Sequence, residues 1–346
     1  MTDPGSVGRG PKERSRGRLL AAFAAVYVVW GSTYLFIRFA VETLPPFVMA
    51  GARFAVAGAI LYSWARLRGA PTPSRAEWRG AAVAGLFLLL GGNGAVVWAE
   101  QRVPSGVTAL LVATVPVWMV LLDWLRPGGV RPRAGVFAGL ALGLAGLAML
   151  VGRGGLGGGG ADLVGAAVLV VGSILWATGS LYLRQKPRPS SALATNAVQM
   201  LAGGVALFVV GTMAGELGRL DLAAASARSL LSLVYLIIAG SLIGFTAYTY
   251  LLQVSTPAKV STYAYVNPVV AVVLGWAFAG EEITARTLVA AAVILAGVAI
   301  ITLARGATEA LAESEVRGAR LPNEESEVES DQRSRVRERS RRARAG

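Results

Sequence analysis

The chain has 346 residues, 54% of them hydrophobic and only 15% charged, against roughly 25% charged in an average soluble domain. It contains no cysteine and no histidine, which excludes disulfides, thiolate metal sites, HExxH zinc proteases, Ser-His-Asp hydrolases and histidine-ligated haem. The net charge of +13 sits in short loops and in the two tails, not among aromatic residues, so it argues for membrane topology and against nucleic acid as a partner.

Residues 1–18, polar and carrying Arg9, Lys12, Arg14, Arg16 and Arg18, read as a disordered cytoplasmic leader. Ten apolar segments follow, at 19–39, 46–65, 79–99, 106–125, 134–152, 163–183, 192–213, 229–252, 259–280 and 286–304. Each is close to the ~20 residues that a helix needs to cross the hydrocarbon of a bilayer. The first is too long for a cleaved signal and ends without a small-residue cleavage site. With the N-terminus inside, the leader and inner loops hold 16 Lys/Arg and the outer loops 5. That bias predicts cytoplasmic termini. Residues 153–162, rich in glycine, read as a flexible linker between two halves, 19–152 and 163–304. Residues 305–346 hold ten Arg and nine Asp/Glu, a composition that cannot bury a core and predicts a disordered cytoplasmic tail.

The two halves repeat each other. Trp30 and Arg38 match Trp176 and Arg184 at an offset of 146, and Arg53 and Gly58 match Gln199 and Gly204 at the same offset. Pro116 and Pro268 differ by 152, and Gly146 and Gly297 by 151. A five-span unit is odd, so its tandem copy enters the membrane upside down. The sequence therefore predicts an all-α membrane protein, ten transmembrane helices arranged as two inverted five-helix repeats, the architecture of alternating-access transporters. Two segments, Pro104–Trp124 and Lys259–Gly280, share a central proline. Proline removes a backbone hydrogen bond from a helix, which makes Pro116 and Pro268 candidate hinges. Tyr263, Tyr265 and Asn267 are read as one polar face beside the second of them.

The motifs VVWGSTYLFIR, PPFVMAGARF, GGNGAVVWAEQRVPSGVTALLVATVPVW, AGLALGLAGLAML, GSILWATGSLY and STYAYVNPVVAVVLGW, in this order and spacing over residues 19–303, resemble the EamA-type permeases of the drug/metabolite transporter superfamily, with a YedA-like character. The resemblance implies a bacterial inner-membrane protein that exports small metabolites or drugs by alternating access around a central cavity, with spans 3, 4, 8 and 9 lining it. Import or exchange on the same fold, a passive channel and a membrane-embedded enzyme stay open as alternatives. No catalytic residue, metal ligand or cofactor motif is identified. The expected partners are a small-molecule substrate and the lipid bilayer, with a homodimer left open.

Polar and aromatic residues inside spans mark the candidate site, because intramembrane polarity is costly and faces a pathway. Arg53 is the foremost: it could hold an anionic group of the substrate, or pair with Glu100 or snorkel toward an interface. Its repeat mate is Gln199. Asn93, in GGNG, is flanked by glycines that permit close approach of a backbone or ligand. Asn267 could contact substrate or take up a carbonyl freed by Pro268. Trp30, Tyr34, Trp176, Tyr248, Tyr263 and Tyr265 are candidates for the cavity wall, and Thr33 and Thr114 for its polar spots. Glu100 is the candidate for coupling to an ion.

Overall fold

The computed structural model describes residues 11–127, 134–151, 163–187, 189–255, 260, 262–301 and 303–304. Residues 1–10 of the expected leader, the linker and the tail beyond 304 lie outside them, as do Pro257 and Lys259. Among the described residues, ten apolar helices build the unit that ends at Ile301. Seven are long enough to cross a membrane: α1 (Gly17–Ala40), α2 (Pro46–Leu67), α3 (Arg75–Ala99), α4 (Ser105–Leu125), α6 (Leu163–Arg184), α7 (Ala192–Met213) and α8 (Ala227–Leu251). The shorter three are α5 (Ala134–Val151), α9 (Tyr263–Ala279) and α10 (Ala285–Ile301). Helix already begins at Pro11, inside the stretch expected to be a leader.

Local sequence sets the boundaries. Pro46 opens α2, where its missing N–H is not needed. Ser74 and Glu77 close a capping box on α3. Gly280, at φ 65°, ends α9 in the left-handed region that disfavours a side chain. The two prolines act differently. Before Pro116 the helix breaks at Ala113–Thr114, and a new one starts at Val115. Pro268 lies within α9, which continues past it.

Each repeat is threaded through the other. α1 packs on α8 and α9, and α6 packs on α3 and α4, which are the same contact exchanged between halves. α2 meets its own mate α7, where a Cβ on Gly204 would lie 2.5 Å from the Ala55 nitrogen. α5 meets α10 in the same way, with a Cβ on Gly297 only 2.6 Å from the Gly139 carbonyl. Glycine is required at both crossings, as in other close helix pairs in lipid. The pseudo-symmetry extends to backbone irregularity. Leu86–Asn93 in α3 and Leu236–Ile243 in α8 are both π-helical, 150 residues apart. Such turns widen a helix and recur at functional sites. A third, Ala25–Val29 in α1, has no counterpart in α6, which is α-helical throughout.

Candidate functional site

The π-helical turn of α8 faces the first repeat, and the polar centre of the molecule is built there. Arg53 reaches across from α2 and donates from Nε to Ser241 Oγ at 3.0 Å. The residue is 4% exposed, and its Nη1 has no hydrogen-bond partner among the described residues. Bare Gly240 lets the guanidinium in: a Cβ there would lie 3.0 Å from both Arg53 Nη2 and Thr33 Cγ2. A buried cation with an unused donor is an expensive arrangement for a fold to keep.

An aromatic cluster adjoins it. Trp30 Nε1 donates to the Gly240 carbonyl at 3.1 Å. Its ring lies 5.3 Å from Phe245, 5.1 Å from Tyr248 and 5.4 Å from Tyr263, with Tyr248 and Tyr263 5.9 Å apart. These spacings are those of edge and tilted aromatic pairs. One helix of the first repeat and two of the second thus contribute to one group of rings beside Arg53.

The other expected residues divide. Asn267 is buried in α9, and with its amide assigned in the orientation its neighbours require, its nitrogen donates to the carbonyls of Tyr27 (3.1 Å) and Tyr263 (3.2 Å). It fastens the proline-containing helix to the π-helical turn of α1. Tyr265 leaves the cluster and donates to the Val298 carbonyl of α10 at 3.2 Å. Residues 263, 265 and 267 are therefore not one face: on a helix of 3.6 residues per turn, positions two apart point in nearly opposite directions. Thr33 and Thr114 donate to the carbonyls of Trp30 and Leu111, both at 2.6 Å, and Thr114 also accepts from Trp118 Nε1. Both are tied into their own helices.

Trp176 occupies the mirrored place of Trp30, packed over α3, where a Cβ on Gly92 would lie 2.6 Å from its ring. Of the glycines around Asn93, Gly91 and Gly92 admit Leu175 and Trp176 of α6 and Gly94 faces Leu207 of α7, so what approaches closely is a protein side chain. Gln199 is buried on α7, its backbone carbonyl against Gly85. Tyr34 lies beside Glu100. Arg53 is bonded to Ser241, not paired with Glu100. Ser241 and Phe245 were not anticipated. Ser241 lies at the Gly91 position of the repeat, 150 residues on, and that offset was the available signal.

The two ends of the bundle differ. At the end where Glu281 lies, the contacts that join the halves include Arg38 Nε to Glu281 (3.7 Å), Arg228 to Glu42 (3.4 Å), Ser226 N to Thr43 Oγ1 (3.1 Å), Ser229 Oγ to the Phe39 carbonyl (2.7 Å) and Val48 N to Glu216 (2.9 Å). At the opposite end, Ser190 N donates to Glu77 at 2.7 Å and Tyr27 meets Thr262. A cleft of about 230 Å³ also opens there, lined by Asp123, Arg126, Leu181, Arg184 and Gln185. The Glu281 end carries more ties between the halves, and the opposite end carries fewer beside a cleft.

The profile of the EamA-like transporter family matches residues 16–152 and again 163–303. The chain is 42% identical over 288 residues to the inner membrane transporter YedA of Escherichia coli strain K12, covering 83% of this chain and 91% of that one. It is 25% identical over 300 residues to the transporter YvbV of Bacillus subtilis strain 168, covering 86% and 95%. A solved crystal structure, 22% identical, superposes with a TM-score of 0.58 over 83% of this chain and 97% of its own, which supports the fold.

Proposed function

The chain belongs to the EamA-like transporter family, and on that premise we propose that it exports a small metabolite or drug bearing an anionic group, by alternating access at the Arg53 site. The observation that carries this reading is the buried guanidinium with Nη1 unused, placed between the repeats beside bare Gly240 and the rings of Trp30, Tyr248 and Tyr263. Arginine presents donors in a fork that matches a carboxylate or phosphate. The rings supply apolar wall for the remainder of the ligand.

We read the Glu281 end as outside and both termini as cytoplasmic, a reading that the bias of Lys and Arg toward the inner loops supports. The more heavily tied mouth is then the outer one, and the α4–α6 cleft lies on the cytoplasmic side. Exchange of conformations between the halves, with Pro116 and Pro268 as pivots, converts this state into its opposite.

The absence of cysteine makes the test clean. Spin labels on cysteines introduced at Thr43 and Ser226 report the outer mouth, and labels at Arg126 and Gln185 the inner cleft. A bound ligand of the right class is expected to widen one distance as the other narrows. Both widening together would mean a channel, and neither moving would remove alternating access.

A further inference from the structure

We propose that Glu100 is a proton-binding site, and that the proton it holds keeps the Glu281 mouth sealed; this rests on the transporter reading above only for what the seal is used for. Glu100 follows the last residue of α3, in the turn to α4, and is 1% exposed. Neither of its carboxyl oxygens has a hydrogen-bond partner among the described residues. An ionised carboxylate is not kept dry and unpaired, because its charge has lost water and gained nothing.

Its neighbourhood already contains a fixed anion. Glu281 accepts from the backbone nitrogens of Ser105 (2.7 Å) and Gly106 (3.0 Å), at the positive end of α4, and faces Arg38 Nε at 3.7 Å. That clasp binds the turn before α10 to α4 and to α1. Arg38 is thereby engaged, so a second negative charge at Glu100 would stand beside Glu281 without a cation of its own. Burial, and then the Glu281 carboxylate, push the Glu100 acid well above the usual carboxylate range, while Arg38 opposes them in part.

Of the other titratable and charged groups on this side, among the described residues, Arg228 pairs with Glu42 at 3.4 Å, Glu216 accepts from Val48 N at 2.9 Å and Glu282 is exposed. Tyr34 on α1 adds none of the missing charge. Arg102, in the same turn, lies over the Trp98 ring at 5.0 Å. Arg53 on α2 is bonded to Ser241, and Arg286 on α10 donates to the Met149 carbonyl at 2.7 Å. The described charged residue of α6, Arg184, and that of α4, Asp123, lie at the opposite end. On α4's first turn Ser105 Oγ and Thr108 Oγ1 are also buried without partners among the described residues.

Opening this mouth would hydrate Glu100 and let its proton pass to the water outside. The sealed state therefore binds one proton more than the open state. Acid on this side favours sealing, and the preference is lost as pH rises through the sealed-state value.

The test uses purified full-length protein in liposomes without added substrate, so it can fail while transport itself stands. Infrared spectra of the wild type at neutral pH are expected to contain a deuterium-sensitive carbonyl band of a buried carboxylic acid. The band should vanish in Glu100→Gln and persist in the exposed control Glu282→Gln. The distance between labels at Thr43 and Ser226 should widen in the wild type as pH rises, and stay short at every pH in Glu100→Gln, which mimics the protonated form. No band in the wild type, or a band that survives in Glu100→Gln, would overturn the proposal. So would equal pH-dependent widening in both proteins, or loss of the wild-type band when potassium is replaced by sodium, which would make the site a metal-cation site. Were Glu100→Gln not to fold, the wild-type spectrum and its pH-dependent distance still decide.

Discussion

Arg53→Gln abolishes transport of an anionic substrate and leaves the fold intact: that is the expected result, and the two halves of it are informative together. Removing one partner of a desolvated charge pair costs about 2–5 kcal/mol, roughly 30-fold or more in affinity. If Arg53 were only structural, its loss should unfold the protein. Yet its single described hydrogen bond goes to Ser241, and Nη1 is left without any. Taking an incompletely paired cation out of a buried site is neutral or stabilising, so the melting temperature in detergent should hold or rise. Arg53→Lys keeps the charge and loses the fork, and should recover only part of the affinity. Wild-type flux in Arg53→Gln would retire the ligand role. A large fall in melting temperature would make the residue structural.

Trp30→Ala is expected to damage both stability and transport. The indole touches Phe245, Tyr248 and Tyr263 and donates to the Gly240 carbonyl. Trp30 is partly buried, so its truncation should cost somewhat less than the ~3–5 kcal/mol of a fully buried Phe or Trp, about 2–3 kcal/mol. Trp30→Phe keeps most ring contacts and loses the Nε1 bond, for about 1 kcal/mol. Thermal unfolding should thus rank wild type above Phe and Phe well above Ala. The same order is expected in flux, because the ring helps to hold α8's π-helical turn against α1, where Arg53 finds Ser241. Equal melting of the Ala variant and the wild type would show that the cluster is not a packed unit.

The repeat was the most legible feature, because it is written in spacing. Trp30 with Trp176 and Pro116 with Pro268 announced two halves, and the ten apolar segments appear as helices with ends shifted by a few residues. What spacing could not convey is which helix meets which. The pairing of α1 with α8 and α9, and of α6 with α3 and α4, is an exchange between halves, and it puts Trp30 and Trp176 on π-helical turns that no residue pattern announces. The supposed face of Tyr263, Tyr265 and Asn267 failed for a plainer reason: alternate residues share a face on a strand, and these lie on a helix. Asn267 was legible as a partner for carbonyls near Pro268, but its second partner, Tyr27 on α1, depends on packing. Arg53 stood out as a charge deep in an apolar span. Ser241 did not, since a lone serine in a membrane helix usually bonds its own backbone.

The central claim is that this chain moves a solute by alternating access at a site holding an anionic group. Counterflow measures that most directly. Purified protein in liposomes, loaded with an unlabelled ligand chosen by thermal shift from amino acids, sugars, nucleosides and drugs, is given the labelled ligand outside. The account predicts a transient, saturable accumulation of label that is absent with Arg53→Gln. Flux that rises linearly with concentration, with no overshoot, would contradict it.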